Sequence, residues 1–594
     1  MTEYRGKPIL VSVDEINRKL EQLLSNGSNF SKDFQFRPKQ RMAIVKIAFL
    51  YLNNICKNVI LDAPTGSGKS IIAIAAARLL REWKKEGYII TSNLDLQDQY
   101  IKDIRELSLM WGSIKGVDNY DCHVNGLPFS LGECKTRGYT KEKIEKLECY
   151  LSCSYFMNRL KAQHSAISVL NYNYWLIQRN YTAKKNSGDY QIEEAFKKRD
   201  FCFFDEAHKM DDIVQSHFSL TINYKLIEKM LEHVEYCDSH KINYDKSILD
   251  IAKISLDYTR LMDEEDYAIN CKALYNFQKA LTELAGTRNS IQDQLKQHSF
   301  GKTIPIYLRH ALKRCELFKD ANCKLEDYLE IISKDEEAFV KTCDSGNNVV
   351  TFNLLKDQLL IQNKLHNESN FSVFMSATFG NPKTWAELTG TDDYEIISIP
   401  NSWKLKENSP IYLSKKLPTM SYAKRDESVV EIMKELDKIL LKNDKVKGVI
   451  HTGNFYFNEY IMKNSKYKNR FFAYENSKQR ANAIEEFKKS KNGVLVGPSL
   501  TEGLDLKDDF SRFQIFIKVP FRVITDNYIK KRMELDTRWY NWKTSLAFIQ
   551  ALGRSIRNEN DWAVTYLLDG SFRNYIGRYS NMLPEYVTER IEYF

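Results

Sequence analysis

No stretch of this chain approaches the ~20 consecutive apolar residues that a membrane span requires, so the sequence offers no transmembrane segment. Its opening, Met1-Thr-Glu-Tyr-Arg-Gly-Lys7, lacks the apolar core of a secretory leader. The protein is therefore expected to stay in the compartment where it is made, the cytoplasm. There is no internal repeat and no low-complexity tract, which excludes solenoids and repeat arrays. No cysteine follows Cys343, and eleven cysteines in a reducing compartment argue against a disulfide framework. A large excess of one charge is also missing. Lys+Arg 87 against Asp+Glu 78 gives net +9, which permits a nucleic-acid partner without demanding one.

What is present is an ordinary globular composition, 43% hydrophobic and 28% charged, over 594 residues. That length suggests roughly three to four domains. The chain is organised around Asn58 to Ser70. Val59-Ile60-Leu61 reads as a short buried strand. A glycine-bearing loop follows, then Lys69-Ser70 and an Ala/Ile/Leu-rich helix from Ile71 to Trp83. Strand, glycine loop, Lys-Ser and helix in that order make a P-loop. Backbone N–H groups of Ala63, Pro64-flanked Thr65, Gly66, Ser67 and Gly68 would cradle phosphate oxygens, helped by the helix dipole. Lys69 would reach the β- and γ-phosphates of ATP, and the Ser70 hydroxyl would ligate Mg²⁺. Ala63 stands where the first glycine of the pattern usually sits.

Five further groups carry chemistry. Gln40, after Phe36-Arg37-Pro38 and at the start of a helix expected over 40–53, can read an adenine edge with its amide; alone it would read better as a surface helix cap, and the P-loop beside it favours the adenine contact. Asp205-Glu206-Ala-His208 ends the apolar run Phe201 to Phe204, at the strand edge where doubly wound sheets bind ligands. Asp205 would hold Mg²⁺ through water and Glu206 would deprotonate the attacking water. Gln550-Ala-Leu-Gly-Arg-Ser-Ile-Arg557 reads as one helix whose Arg554 and Arg557, three apart, share a face and can reach a γ-phosphate as arginine fingers. Ser376-Ala-Thr378 could relay between nucleotide and a second ligand. In Thr501-Glu-Gly-Leu-Asp505, Glu502, Gly503 and Asp505 could contact ribose or water.

The texture of the chain changes along its length. Strands alternate with helices up to about residue 212. Helical periodicity dominates from about 213 to 365, read here as an all-helical insert. Strand texture returns at Ser372 to Thr378, and after about 400 an α/β rhythm resumes with strands at 446–451, 470–474, 494–497, 513–519 and 563–568. The fold class is thus α/β, in two halves. Cys122, Cys134, Cys149 and Cys153 fall in one irregular stretch, 112–157. Four thiolates so placed suit either tetrahedral Zn²⁺ or a [4Fe–4S] cluster, and spacing alone does not separate them; His123 is a less favoured additional ligand.

The ordered set of motifs resembles a superfamily 2 DEAH-box helicase, and within that the XPD/DinG family of iron–sulfur DNA helicases. The residues that carry the likeness are Arg37-Pro-Lys-Gln40, Cys153-Ser-Tyr-Phe156 with Asn171-Tyr-Asn-Tyr174, Glu502-Gly-Leu-Asp505, Val519-Pro-Phe521 and Gln550 to Arg557. It covers essentially the whole chain. It implies two RecA-like motor domains, the first built from 1–111, 161–212 and 366–400 and the second from 401–594. It also implies an iron–sulfur insert at 112–160, favouring [4Fe–4S], and a helical Arch-like insert at 213–365. The implied activity is ATP-dependent unwinding with 5′→3′ polarity by a monomer, on single-stranded and forked or 5′-tailed duplex DNA, with no membrane partner. Candidate DNA contacts are Lys135, Arg137, Tyr139, Tyr155, Phe156 and Arg159 near the cysteines, and His451 to Phe455 in the second half. An ATP-gated remodelling module without unwinding, and a zinc-bearing RNA helicase, are the competing readings. An added nuclease domain is not expected, since the P-loop begins by residue 63. The compact size suits a phage or small bacterial enzyme.

Overall fold

The computed structural model describes residues 3–25, 35–184, 196–247, 267–295, 304–344, 346–400, 405–474, 477–498, 500, 506, 508–556 and 561–594. Two seven-stranded sheets dominate it, and every pairing recorded within them is parallel. In the first, the order is Tyr394–Ser398, Asn58–Asp62, Ser369–Ser376, Arg199–Asp205, Gly87–Thr91, Ile167–Asn171 and Gly112–Ser113. Strands at the middle of the sheet, such as Gly87-Tyr-Ile-Ile-Thr91, are buried along their whole length. That is how strands read when helices cover both faces. Helices Val13–Ser25, Pro38–Leu52 and Lys69–Leu80 cover one face and share a core with Ile60's neighbours Val59 and Leu61. Register puts Ser376 beside Asp62 and Met375 beside Asp205, so three motifs end at one sheet edge.

The second sheet runs Phe471–Ala473, Val494–Gly497, Gly448–His451, Phe513–Phe516, Val564–Leu567, Ile411–Leu413, Ile591–Tyr593. The short strands at 411–413 and 591–593 escape sequence reading because three residues carry no period. Two α/β halves are as expected. The first sheet reaches Ser113, two residues past the expected domain boundary, because Gly112 and Ser113 pair with Ser168 and Val169.

One expectation is overturned. The segment between Asp205 and Ser376 is not all-helical. Its helices Tyr224–Ser239, Tyr267–Gly286, Arg288–Leu295 and Ile306–Ile332 stand beside a three-stranded antiparallel sheet, Leu220–Asn223, Val349–Leu354 and Phe339–Asp344. Val349-Val-Thr-Phe-Asn-Leu354 alternates half-buried and buried, and its β-branched and aromatic side chains suit a one-sided sheet. Helix Asn527–Leu535 of the second half docks there: Asn527 Nδ2 donates to the Lys341 carbonyl at 3.2 Å, and Arg532 pairs with Asp357 at 2.6 Å and donates to the Leu355 carbonyl.

Candidate active site

The P-loop departs from ordinary backbone at Gly66 and Gly68, both at φ +80°, a region costly for residues with a Cβ. At Gly68 a Cβ would also lie 2.4 Å from Gln40 Nε2. Gln40 is stapled to the loop: its Nε2 donates to the Ser67 carbonyl at 2.8 Å, and its Oε1 accepts from the Arg37 N–H at 3.0 Å. Arg37 reaches the Gly66 carbonyl at 2.9 Å. Both ends of the Gln40 amide are thus engaged by the chain itself. Ser70, on the first turn of Lys69–Leu80, hydrogen-bonds the Asp103 carboxylate.

Asp205 is 2% exposed. Tyr100 donates its hydroxyl to Oδ2 and the Glu206 N–H donates to Oδ1, each at 2.8 Å. Burial first, then the adjacent Glu206 carboxylate, pushes Asp205 up to about 6. Glu206 sits at φ +52°, a left-handed conformation that a glutamate holds only under constraint. Burial works against its charge, but the positive charges led by Lys69, with Lys209 and Arg554, outweigh burial and keep it below the usual carboxylate range. Asp62, at the end of the P-loop strand, is pushed up to about 7 by burial against the pull of Lys69.

His208 joins these groups. Its Nδ1 lies 2.7 Å from Ser376 Oγ, 3.2 Å from Glu206 Oε2 and 3.3 Å from Thr378 Oγ1. Its Nε2 lies 3.0 Å from Gln550 Nε2, across the cleft on the second half. With Gln550 donating to Nε2, the ring proton belongs on Nδ1, facing the Glu206 carboxylate. Burial lowers His208 to about 4, so the ring is neutral at pH 7. The expected relay role of Ser376 and Thr378 thus has a concrete path. Neither Tyr100 nor the His208–Gln550 contact was legible in the sequence. A tyrosine six residues along a helix has no spacing signature, and a contact between residues 342 apart has none either.

Gln550 and Arg554 do not share one helix, unlike the single helix expected over Gln550 to Arg557. Helix Thr537–Leu552 stops at Gly553, and Arg554 lies in the turn beyond, where Ser555 hydrogen-bonds Ser511 at 2.7 Å. Arg554 still bears electrostatically on Glu206. Arg557, Glu502, Gly503 and Asp505 lie outside the described residues.

The four cysteines converge. Cys122, Cys134, Cys149 and Cys153 line one small pocket with His123, Phe129 and Phe156. Burial, and then Cys122, push the Cys134 thiol up to about 11, with Cys153 and Cys149 adding to it. Among the described residues no three His, Cys, Asp or Glu side chains form a group that could hold a metal ion. Several expected DNA contacts turn inward instead. Arg137 is buried, paired with Glu133 at 2.7 Å and donating to the Leu295 carbonyl at 3.1 Å. Tyr155 stacks on Phe129 with ring centroids 4.2 Å apart. His451 is buried, stacks on Phe516 and faces Gln514 Oε1 at 3.3 Å. Phe455 is exposed, as is Gly453.

A P-loop facing a carboxylate pair at one sheet edge, with a second sheet supplying Gln550 and Arg554, defines a two-domain ATPase motor. Residues 454–590 match the family profile described as a helicase C-terminal domain, and residues 33–237 that of the type III restriction enzyme res subunit. A probable ATP-dependent helicase of Methanocaldococcus jannaschii is 22% identical over 91% of this chain and 92% of its own length. The Escherichia coli ATP-dependent DNA helicase YoaA is 21% identical over 90% and 91%. A solved structure of S. tokodaii Xpd4 superimposes with TM-score 0.59 at 16% identity, covering 94% of this chain and 100% of that one. A second, of an XPD helicase, gives 0.58 over the same shares. At such identity the solved structures speak for the fold. Taken together, the chain is a superfamily 2 helicase of the XPD/DinG type, an enzyme that hydrolyses ATP. No helix among the described residues is long and apolar enough to cross a membrane.

Proposed function

We propose that this protein translocates 5′→3′ as a monomer on single-stranded DNA and unwinds forked or 5′-tailed duplex, holding a [4Fe–4S] cluster on Cys122, Cys134, Cys149 and Cys153. The observation that carries the reading is His208, which touches Glu206, the Ser376-Ala-Thr378 strand end and Gln550 of the opposite half at once. Hydrolysis at Glu206 can thereby alter the contact between the halves, which is what a translocating motor needs.

In the proposed cycle Lys69 neutralises charge on the transferring phosphoryl group and Arg554 approaches it from the other half. Ser70 and Asp205 would hold Mg²⁺, which supplies charge neutralisation at the phosphates. Glu206 orients the attacking water and takes its proton, aided by the charges that keep the carboxylate ionised. Neutral His208 holds Glu206 through Nδ1–H and reports its state to Gln550. Gln40, with its amide against the loop, supports the adenine side.

Four thiols lining one pocket suit a four-thiolate centre, either Zn²⁺ or [4Fe–4S]. The resemblance to the XPD/DinG family favours the cluster, whose part would be to hold residues 112–160 in shape. The insert after Asp205 would act as the Arch.

The test is strand displacement with ATP on 5′-tailed, 3′-tailed and RNA substrates, with iron content and absorption near ~400 nm read on the same sample. Unwinding from a 5′ tail by a coloured protein is expected. Displacement only from a 3′ tail would overturn the polarity. DNA-stimulated ATPase with no displacement would favour a remodelling module, and RNA preference with bound zinc the RNA helicase.

A further inference from the structure

We propose that Lys543 is a positioning residue that fixes the helix bearing Gln550 against the helix following His208, and so links ATP turnover to strand separation.

Lys543 lies on helix Thr537–Leu552 and is 4% exposed. Its ammonium donates to Asp211 Oδ1 and to Asp212 Oδ2, both at 2.8 Å. The remaining carboxylate oxygens are also engaged: Trp539 Nε1 donates to Asp211 Oδ2 at 3.1 Å, and Arg522 faces Asp212 Oδ1 at 3.5 Å. Asp211 and Asp212 stand in the first turn of helix Met210–Phe218, three and four residues after His208. Acidic side chains there are favoured by the helix dipole.

Lys543 and Gln550 are seven residues apart on one helix, which at 3.6 residues per turn puts them two turns apart on the same face. On that face Lys543 meets Asp211 and Asp212, and Gln550 meets His208 at 3.0 Å. The same helix also donates from Trp542 Nε1 to the Phe379 carbonyl at 2.7 Å and pairs Arg538 with Glu387 at 2.7 Å. Among these contacts Lys543 supplies the buried charge on the helix that follows His208, on the face that carries Gln550, and so bears on the distance from Gln550 to His208.

The chemistry of the Lys543 contact makes it discrete. A buried ammonium that loses its carboxylates is strongly disfavoured, whereas replacing the whole set with apolar groups need not destabilise the fold. The contact is thus a poor source of stability and a good source of geometry. It is either made in full or broken in full as the halves move. Lys543 touches neither nucleotide-binding loop nor Glu206, so it acts through Gln550 and His208.

This inference rests on the helicase reading for its unwinding arm and on ATP hydrolysis alone for the other. The experiment uses the full chain with Lys543→Met, which keeps the stem and removes the charge. ATPase stimulated by oligothymidylate should lose about tenfold in kcat while KM for ATP stays within about twofold, and displacement of a tailed duplex should fall further than kcat. Lys543→Arg, able to span both carboxylates, should recover at least half of kcat. Asp212→Asn, at a half-exposed position, is the gentler variant if Lys543→Met does not fold, and should lower kcat about threefold in the same pattern. Unchanged kcat in whichever variant folds, with only a lower melting temperature, would overturn the proposal. So would a rise in KM matching the fall in kcat, or failure of Lys543→Arg to rescue. Absence of displacement by the unmodified chain would sink the helicase reading instead, leaving the kcat arm to decide this one.

Discussion

The ATP cleft and the four-cysteine pocket are built differently. In the cleft the reactive groups stand on the ends of long buried strands: Asp62, Asp205 and Ser376 finish strands of five, seven and eight residues. In the pocket Cys134 stands on the four-residue piece Glu133–Thr136, Cys149 and Cys153 flank the three-residue turn Tyr150–Ser152, and Cys122 follows the isolated bridge of Asp121 with Pro128. The first arrangement is fixed by main-chain ladders and two apolar faces. The second has little ladder of its own and leans on Phe129, Tyr155 and the Glu133–Arg137 pair. A site made from strand ends is rigid before any ligand arrives. A site made from turns gains most from what it ligates.

That contrast can be broken at several points. The largest effect is expected from Lys69→Ala, which should reduce ATP turnover to background while single-stranded DNA binding persists, measured by phosphate release and fluorescence anisotropy. Replacing Glu206 with Gln should slow hydrolysis by roughly 10²–10⁴ with nucleotide binding retained, because the water-activating group goes and Asp205 stays; loss of nucleotide binding would show Glu206 to be structural. Arg554→Ala should cut kcat by about 10³ with little change in ATP affinity. Cys134→Ser or Cys149→Ser should bleach the chromophore and abolish strand separation, yet leave ATPase within about tenfold of normal, since the strand-end groups lie elsewhere. Full unwinding by an iron-free variant would reduce the cysteines to a dispensable clip.

The broadest effect, on stability and not on turnover, concerns acid. His208, His233 and His451 are buried and lowered to about 4, and buried His366 to about 3, in each case chiefly by burial. Their folded values lie below the unfolded 6.5, so between the two the unfolded chain binds more protons. Stability should be full above about 6.5 and fall as pH drops toward 4, by up to roughly 5 kcal/mol per pH unit if all four stay neutral in the fold. Melting curves from pH 7.5 to 4.5 would show it. A flat profile would mean that these rings are reached by water.

Much of the cleft was legible because its chemistry is local. Ala63 to Ser70 announces itself by residue type and order, and Asp205-Glu206 by an apolar run ending in acid. What stayed hidden was non-local or shape-borne. The left-handed turn at Glu206 leaves no mark in the sequence. Gly553 signalled the helix end that separates Gln550 from Arg554, but the arginine spacing suggested a longer helix. The inserted sheet hid among helices because Val349 to Leu354 is six residues in a segment of about 150. Arg137 and Tyr155 read as nucleic-acid contacts by type and are core residues by position; composition does not distinguish a basic patch from a buried ion pair.

The register of the first sheet has a consequence for how the protein is made. The P-loop strand Asn58–Asp62 pairs on its two sides with Ser369–Ser376 and Tyr394–Ser398. Neither neighbour exists when residues 58–80 leave the ribosome. At 5–20 residues per second, roughly 15–70 s pass before Tyr394 is synthesised. For that interval Val59, Ile60 and Leu61 form an unpaired apolar strand, the sort of edge that recruits other strands. Production of active enzyme should therefore depend on chaperone supply and on the rate of translation between the P-loop and residue 394. Slowing that stretch with rare codons would lengthen the exposure, and lowering the temperature would weaken the apolar contacts that make it hazardous.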